Sequence, residues 1–130
     1  MLRHYNVAVV MTDSPDPALQ YLSNISLTVA DHCFVLLHSR NKGYWYNYSY
    51  NVEELKPWAD KVNKIVNDPE LKWLRVYFNN HYGGKAGENA LQFMEMTGSQ
   101  KLSQKQQEAK NRVREALEKV KSRARLAEFG

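Results

Sequence analysis

The chain has 130 residues, of which 43% are hydrophobic and 25% charged, and it carries a formal net charge of +4. These values are ordinary for one small globular domain. No stretch reaches the roughly 20 apolar residues of a membrane-spanning helix, and the residues after Met1 lack the long apolar core of a signal peptide. The single cysteine, Cys33, excludes an internal disulfide and suits a reducing compartment. We therefore expect a cytoplasmic protein.

The first forty residues predict two strands. Residues 5–11 and 33–38 are apolar runs of strand type, and the second is apolar almost throughout, as a strand buried on both faces would be. Residues 12–17 are rich in Asp, Ser and Pro, which predicts a loop. Residues 18–24 predict a short helix.

The middle of the chain predicts a helix and then a third strand. Asn51 is placed to cap the helix, and Glu54 stands at the third helical position, where it would complete a capping box. The helix reaches about Val66, and Pro57 lies early enough in it to be tolerated. Residues 73–78 then favour a strand.

Two further helices are predicted, over residues 86–96 and from Ser103 to about Ala127. Strands that alternate with helices imply parallel pairing with right-handed crossovers. We therefore expect an α/β fold with about three parallel strands, crossover helices and a long amphipathic C-terminal helix. The chain is predicted to divide into an α/β region over residues 1–98 and a basic helix within residues 99–130, packed on the same domain or on a partner.

Polar side chains follow each predicted strand, and parallel strands end at the same edge of a sheet, where α/β folds bind ligands. The side chains concerned are Asp13, His38, Arg40, Asn79, Asn80 and His81. Their groups can donate or accept hydrogen bonds to a ligand. We therefore predict a site at this edge, in which Asp13, His38 and His81 are the candidates for acid–base chemistry.

A turn with Gly83 and Gly84 joins the third strand to the next helix. A helix that starts after glycines presents free N–H groups and the positive end of its dipole, which favour an anion, and Lys85 adds a positive charge. The predicted ligand-binding residues are therefore Arg40, Asn79, Asn80, Gly83, Gly84 and Lys85. The alternative is that the glycines only make a tight turn, which Asn79 caps.

Sequence motifs for common catalytic and cofactor sites are absent. The sequence has no Gly-x-Ser-x-Gly and no phosphate-binding loop motif. Its four histidines do not show the spacing of metal ligands. Asp13, His38 and His81 could meet at the sheet edge, but three separated residues are a weak signal for a metal. We therefore predict no metal and no cofactor.

The positive charge is concentrated near the C-terminus. Residues 101–130 carry nine Lys or Arg and four Asp or Glu, whereas residues 1–100 carry nine and ten. One interpretation is a basic arm for nucleic acid or an acidic partner. The apolar stripe of Val113, Leu117 and Val120 favours the other, a solvated helix whose apolar side packs on another element.

Aromatic residues are concentrated between Tyr44 and Tyr50. They could stack on bases or sugars. They could instead form a loop packed over a hydrophobic floor, with their hydroxyl groups facing water. We favour packing.

Several of these segments together resemble the domain-of-unknown-function 72 (YecE-like) family. The motifs that carry the resemblance are His38-Ser39-Arg40-Asn41, the aromatic run 44–50, Glu53-Glu54-Leu55, Tyr77-Phe78-Asn79-Asn80-His81 and Glu88-Asn89-Ala90. The similarity covers about residues 3–95, and the tail after Gly98 shows none. Ser39 and Leu36 stand where the family commonly has Gly and Arg. If that arginine contributes to the family's site, this chain lacks it.

The resemblance implies an eight-stranded β/α barrel of typically ~250 residues, of which this chain matches only the last three strands. Three parallel strands cannot close a barrel, and they leave two edges unpaired. We therefore expect a homo-oligomer or a second chain that supplies the missing strands, unless the C-terminal helix folds back over the exposed face.

The predicted function is the binding of an anionic or phosphorylated small molecule at the carboxyl ends of the strands. The alternative is a non-catalytic interaction module that contacts nucleic acid or a protein partner through its basic helix. Because a barrel site draws residues from several strands, we do not expect the isolated chain to be an independent enzyme.

Overall fold

The structure, a computed structural model, describes residues 1–20, 31–98 and 104–129. A 3-10 turn, Leu2–Tyr5, begins the chain, and a second one, Tyr82–Gly84, precedes α3. The strands and helices in chain order are β1 (Val10–Asp13), α1 (Pro17–Gln20), β2 (His32–Leu37), α2 (Val52–Ile65), β3 (Trp73–Phe78), α3 (Lys85–Met96) and α4 (Gln104–Glu128).

The three strands form one parallel sheet in the order β1-β2-β3. Asp13 pairs with Leu37, and Leu37 with Phe78, so the carboxyl ends of all three strands lie level. The ladder continues one step further, because the His38 N–H donates to the Asp13 carbonyl at 2.8 Å and the Asn79 N–H to the Leu37 carbonyl at 2.9 Å. The predicted parallel pairing is therefore confirmed, and the predicted polar clusters come to one edge.

One face of the sheet is covered by α2 and α3. The strand residues on this face are Met11, Cys33, Val35, Leu37, Leu74, Val76 and Phe78. They pack against Leu55, Trp58, Ala59, Val62 and Ile65 of α2 and Phe93 of α3. Alternation along a strand places every second side chain on one face, which accounts for this set.

The opposite face is more open. On β2, His32, Phe34 and Leu36 are half-buried, while their neighbours on the helix side are buried. The expectation that this strand is buried on both faces is therefore wrong for the described residues. On β3, Trp73 and Tyr77 are 38% and 47% exposed, and the Phe34 ring lies 5.0 and 6.1 Å from their rings. These three rings form an aromatic cluster on the open face.

The first strand begins later than predicted. Asn6, which follows the first 3-10 turn, has a left-handed φ of 53°, and the Val7 N–H donates to the Leu2 carbonyl at 3.0 Å. Asn tolerates this backbone region better than most residues. The chain therefore folds back on itself at the start of the apolar run, and β1 pairs only from Val10 onwards. The predicted helix over 18–24 corresponds to α1, and residues 21–24 lie outside the described residues.

The α2 helix starts as predicted. The Glu54 N–H donates to Asn51 Oδ1 at 2.9 Å, and the Asn51 N–H donates to Glu54 Oε2 at 3.0 Å, which completes the capping box. Pro57 lies inside the helix, and β3 has the predicted bounds. The capping box places the Glu54 carboxylate next to the carboxyl ends of the strands.

The C-terminal helix folds back antiparallel on α3. Lys121 of α4 pairs with Glu88 at 2.6 Å, and Arg114 pairs with Glu95, so a later residue of α4 meets an earlier residue of α3. Leu117 is half-buried, whereas Val120 is 58% exposed, so only part of the predicted stripe is covered. The helix therefore packs on the helical layer. None of the described helices combines the length and apolar character needed to cross a membrane.

Candidate functional site

His38 and Asn79 meet at the carboxyl ends of β2 and β3. Asn79 Nδ2 lies 3.1 Å from His38 Nδ1, and the Trp45 ring stands edge-on to the imidazole with centroids 5.8 Å apart. Both side chains are half-buried. The predicted convergence of strand ends therefore holds for this pair.

Arg40 lies between two carboxylates. Its Nε donates to Asp13 Oδ2 at 2.9 Å, and its Nη1 donates to Glu54 Oε1 at 3.3 Å. The Asp13 side chain is only 2% exposed, whereas that of Arg40 is 38% exposed. Burial is the strongest single influence on the Arg40 guanidinium and lowers its pKa, but the hydrogen bond and the charges of Asp13 and Glu54 together raise the pKa above its usual range. Arg40 therefore stays charged, and its charge is compensated within the protein.

Two tyrosines complete this network. The Tyr48 hydroxyl donates to Glu54 Oε1, and the Arg40 guanidinium lies 5.9 Å from the centre of the Tyr50 ring. Burial, followed by the hydrogen bond to Glu54, raises the pKa of Tyr48 to about 12. Burial and then the charge of Asp13 raise the pKa of Tyr50 above its usual range. Both phenols therefore stay protonated at neutral pH.

Asn80 is inside the protein rather than at the ligand edge. Its side chain is fully buried, and its Nδ2 donates to the Tyr48 carbonyl and to Asn89 Oδ1, each at 2.8 Å. Asn89 Nδ2 in turn donates to the Tyr50 carbonyl at 2.9 Å. The two asparagines thus hold the aromatic loop 41–50 against α3. Asn80 therefore positions the aromatic loop from inside the protein, and the structure gives no support for its predicted contact with a ligand.

The glycine turn has the backbone that the sequence suggested. Gly83 and Gly84 have φ values of 65° and 79°, which glycine adopts readily. Gly84 is the cap residue of α3, and no side chain accepts a hydrogen bond there. Lys85, the first residue of the helix, donates from Nζ to Asn47 Oδ1 at 2.5 Å and lies 6.0 Å from the centre of the Tyr82 ring.

Part of the turn is explained by helix packing. A Cβ added to Gly84 would lie 3.1 Å from Leu117 Cδ2, and one added to Gly87 would lie 3.6 Å from Val113 Cγ1. These glycines therefore let α4 approach the start of α3 closely. This contact supports the alternative that Gly84 makes a tight turn for structural reasons.

His81 has different neighbours from His38. It is exposed, and its ring lies 4.9 Å from that of Tyr46. Within the described ranges, no three His, Cys, Asp or Glu side chains group as metal ligands do. Asp13, His38 and His81, which the sequence offered only as a weak signal for a metal, do not form a metal-ligating group among the described residues.

The aromatic loop is partly packed and partly exposed. Tyr50 is buried and Tyr48 half-buried, as the packing interpretation expects, whereas Tyr44 and Tyr46 are exposed. The Tyr44 ring stands edge-on to Tyr46 and to Tyr82, at 6.5 and 5.7 Å. Tyr44, Tyr46 and Tyr82 form an exposed rim, which we call the tyrosine rim.

Sequence reasoning missed the role of Glu54 beyond its capping box. Glu54, Tyr48 and Asn47 each contact a predicted site residue or its partner. Glu54 and Asn89 stand in motifs that carry the family resemblance, and that was the signal that could have identified them.

The family comparison matches most of the chain. The sequence model of the family described as "Protein of unknown function DUF72" matches residues 1–113. The match reaches beyond Gly98, where the sequence alone showed no resemblance. The UPF0759 protein YunF of Bacillus subtilis is 33% identical over an alignment of 75 residues, and the match covers 48% of this chain and 26% of that protein.

Solved structures of the same family have a similar fold. A DUF72 family protein from Enterococcus faecalis matches with a TM-score of 0.65 and 26% identity, over 76% of this chain and 40% of that one. A DUF72 family protein from Thermotoga maritima matches with a TM-score of 0.58 and 26% identity, over 75% of this chain and 39% of that one. The chain therefore spans about two fifths of the solved relatives, and its fold is a partial α/β barrel. On the family match over residues 1–113, the chain belongs to the DUF72 family.

Proposed function

We propose that the carboxyl-end edge of this sheet binds an anionic or phosphorylated small molecule. The observation that carries the proposal is the position of Lys85, at the first residue of α3 and directly after a turn of two left-handed glycines. Such a helix start presents backbone N–H groups and a positive dipole end to a ligand. No capping side chain occupies this position on α3.

The charges at the edge favour Lys85 over Arg40 as the cation that meets the ligand. Arg40 is shared between Asp13 and Glu54, so this group of three carries a net negative charge. The partners of Lys85 are an amide oxygen and an aromatic ring, neither of which carries a formal charge. An anion is therefore attracted to the Lys85 side of the edge and repelled from the Arg40 side.

The tyrosine rim and His81 stand beside this turn. The Tyr82 N–H donates to the Tyr46 carbonyl at 3.2 Å, which ties the aromatic loop to the glycine turn. Exposed aromatic faces can stack on a flat or ring-shaped group. In our proposal the rim contacts the uncharged part of the ligand, while Lys85 and the start of α3 bind the anionic part.

The edge in this chain is one part of a larger site. The chain spans about 40% of the solved relatives, and a barrel site draws residues from several strands. We propose that further parallel strands, from a second copy or from another polypeptide, cover the aromatic cluster of Phe34, Trp73 and Tyr77.

The alternative of a basic interaction helix gains less support. Two of its cations, Arg114 and Lys121, pair with Glu95 and Glu88 of α3. These two ion pairs therefore attach α4 to α3 of the same chain. Both pairs are partly exposed, so their strength falls with salt.

A titration with inorganic phosphate tests the proposed anion site. In 15N-labelled protein, the Gly83 and Gly84 amide signals should shift saturably with phosphate and not with sodium chloride at equal ionic strength. The amide of Gly43, in the exposed aromatic loop, serves as the control. If the Gly83 and Gly84 signals do not respond, or respond to chloride as strongly, the turn is structural and the proposal is wrong.

A further inference from the structure

His38 and Asn79 are held at a fixed separation by the backbone. His38 follows Leu37 and Asn79 follows Phe78, and these two preceding residues are paired across β2 and β3. The backbone N–H groups of His38 and Asn79 continue the ladder of hydrogen bonds between the strands. Leu37 and Phe78 face the helical layer, so alternation places the next two side chains on the opposite, more open side. The register of β2 and β3 thus places the two side chains next to each other at the carboxyl-end edge of the sheet.

The direction of their hydrogen bond limits the protonation of the imidazole. Asn79 Nδ2 lies 3.1 Å from His38 Nδ1, and an amide NH2 group can only donate, so with the Asn79 amide in this orientation His38 Nδ1 is the acceptor. A neutral imidazole that accepts at Nδ1 carries its proton on Nε2. We propose that Asn79 is a positioning residue, which holds His38 as the neutral tautomer with Nε2–H available to donate to an oxygen atom of the ligand.

His32, the first residue of β2, has a hydrogen-bond acceptor as its partner. His32 Nδ1 lies 2.5 Å from Asp31 Oδ1, and the hydrogen bond to His32 is the largest of the influences that lower the pKa of that carboxyl. An ionised carboxylate can only accept, so His32 Nδ1 carries a proton. His32 Nδ1 therefore donates, whereas His38 Nδ1, directly after β2, accepts.

The proton on Nε2 limits the roles that His38 can have. A nitrogen that carries a proton cannot coordinate a metal or take up a proton, so Nε2 is neither a metal ligand nor a general base in this state. It suits an acceptor oxygen, as in a phosphoryl, carboxylate or carbonyl group. The inference rests on the proposed function in that the ligand supplies this oxygen. It adds that His38 contributes a neutral hydrogen bond, whereas Lys85 contributes the charge.

The tautomer can be measured without any ligand. Long-range 1H–15N correlation spectra distinguish ring nitrogens that carry a proton from those that do not, at a pH above the ordinary histidine pKa of about 6.5. We expect an unprotonated Nδ1 and a protonated Nε2 for His38, and a protonated Nδ1 for His32 in the same spectrum. A protonated Nδ1 on His38, or a mixture of tautomers, would overturn the inference.

Variants of Asn79 test its role. Asn79→Ala should release His38 into a mixture of tautomers. Asn79→Asp keeps the shape but offers only acceptors, so it should move the proton to Nδ1. The His32 signals report that the strand is still folded, and Asn67→Ala, at an exposed asparagine after α2, is the matched control. A His38 pattern that is the same in all these variants would show that Asn79 does not position the ring.

Phosphate separates this inference from the proposed function. If both hold, inorganic phosphate shifts the His38 Nε2 signal together with the Gly83 and Gly84 amides. A response of the glycine amides alone would remove His38 from the ligand contact while leaving the anion site in place. No response at either place, with the tautomer as expected, would overturn the proposed function and the ligand contact but not the role of Asn79.

Discussion

Leu117 of α4 lies against Gly84, the cap residue of α3. A Cβ on Gly84 would come within 3.1 Å of Leu117 Cδ2, closer than ordinary van der Waals contact. The C-terminal helix therefore reaches the same turn that begins the candidate anion site. Packing of α4 and the backbone geometry of the turn are physically coupled.

Gly84→Ala should destabilise the protein more than Gly83→Ala. Both positions have left-handed φ values, at a cost of about 1–2 kcal/mol for an L-residue. Only Gly84 adds a close contact, since a Cβ on Gly83 meets no described atom within 4 Å. Urea unfolding of the two variants measures the difference. Equal losses would mean that Leu117 moves aside without cost.

The double variant isolates the contact. Leu117→Ala removes the methyl groups that a Cβ on Gly84 would meet. Combined with Gly84→Ala, it should therefore cost less than the sum of the two single losses, as expected for residues in contact. Strict additivity would contradict the packing of α4 on this turn.

The Glu54 network predicts a dependence of stability on pH. Burial is the largest influence on the Glu54 carboxyl and raises its pKa. Hydrogen bonds from Tyr48, the Asn51 N–H and Arg40 together outweigh burial and hold the pKa below the ordinary value of 4.5. A lowered carboxyl pKa stabilises the folded state above the unfolded-state value, and this stabilisation is lost as the pH falls through the folded-state pKa.

Glu54→Gln should therefore reduce the free energy of unfolding at neutral pH by roughly 1–3 kcal/mol, the cost of leaving charged hydrogen-bond partners unsatisfied. The difference from the native protein should shrink as the pH falls below 4.5. Gln still suits the third position of a capping box, and Glu53→Gln, at the exposed neighbour, is the control. A difference that does not change with pH would show that the carboxylate charge is not the cause.

The open face predicts self-association of the isolated chain. Trp73 and Tyr77 expose aromatic surface next to the outer edge of β3, and unpaired edges promote pairing with other chains. We expect sedimentation velocity at micromolar concentration to show a dimer or larger species, weakened by Tyr77→Glu. Val120→Lys on α4 is the control. A stable monomer would contradict this expectation, and weakening only by Val120→Lys would assign association to α4.

Local signals account for what could be predicted from the sequence. The capping box of Asn51 and Glu54 and the bounds of β3 depend on neighbouring residues, and both are confirmed. The partners of Arg40 could not be predicted in this way, because Asp13 and Glu54 lie 27 and 14 residues from it. The contact of Leu117 with Gly84 also joins distant parts of the chain. The parallel topology predicted that the strand ends lie at one edge. The hydrogen-bond partners of the side chains at that edge depend on tertiary packing and could not be predicted.

The two cations at the edge should differ in their effect on phosphate binding. Lys85→Gln should weaken phosphate binding by about 1.5–3 kcal/mol, the scale of a hydrogen bond to a charged group. Arg40→Gln should weaken it less, because in this proposal Arg40 does not contact the ligand and acts only through the added repulsion from Asp13 and Glu54. The Gly83 and Gly84 amide shifts give each affinity, and Lys42→Gln, at an exposed lysine in the aromatic loop, controls for loss of net charge. Equal weakening by Arg40→Gln and Lys85→Gln would show that Arg40 also contacts the ligand. No weakening by Lys85→Gln would contradict the proposed anion site.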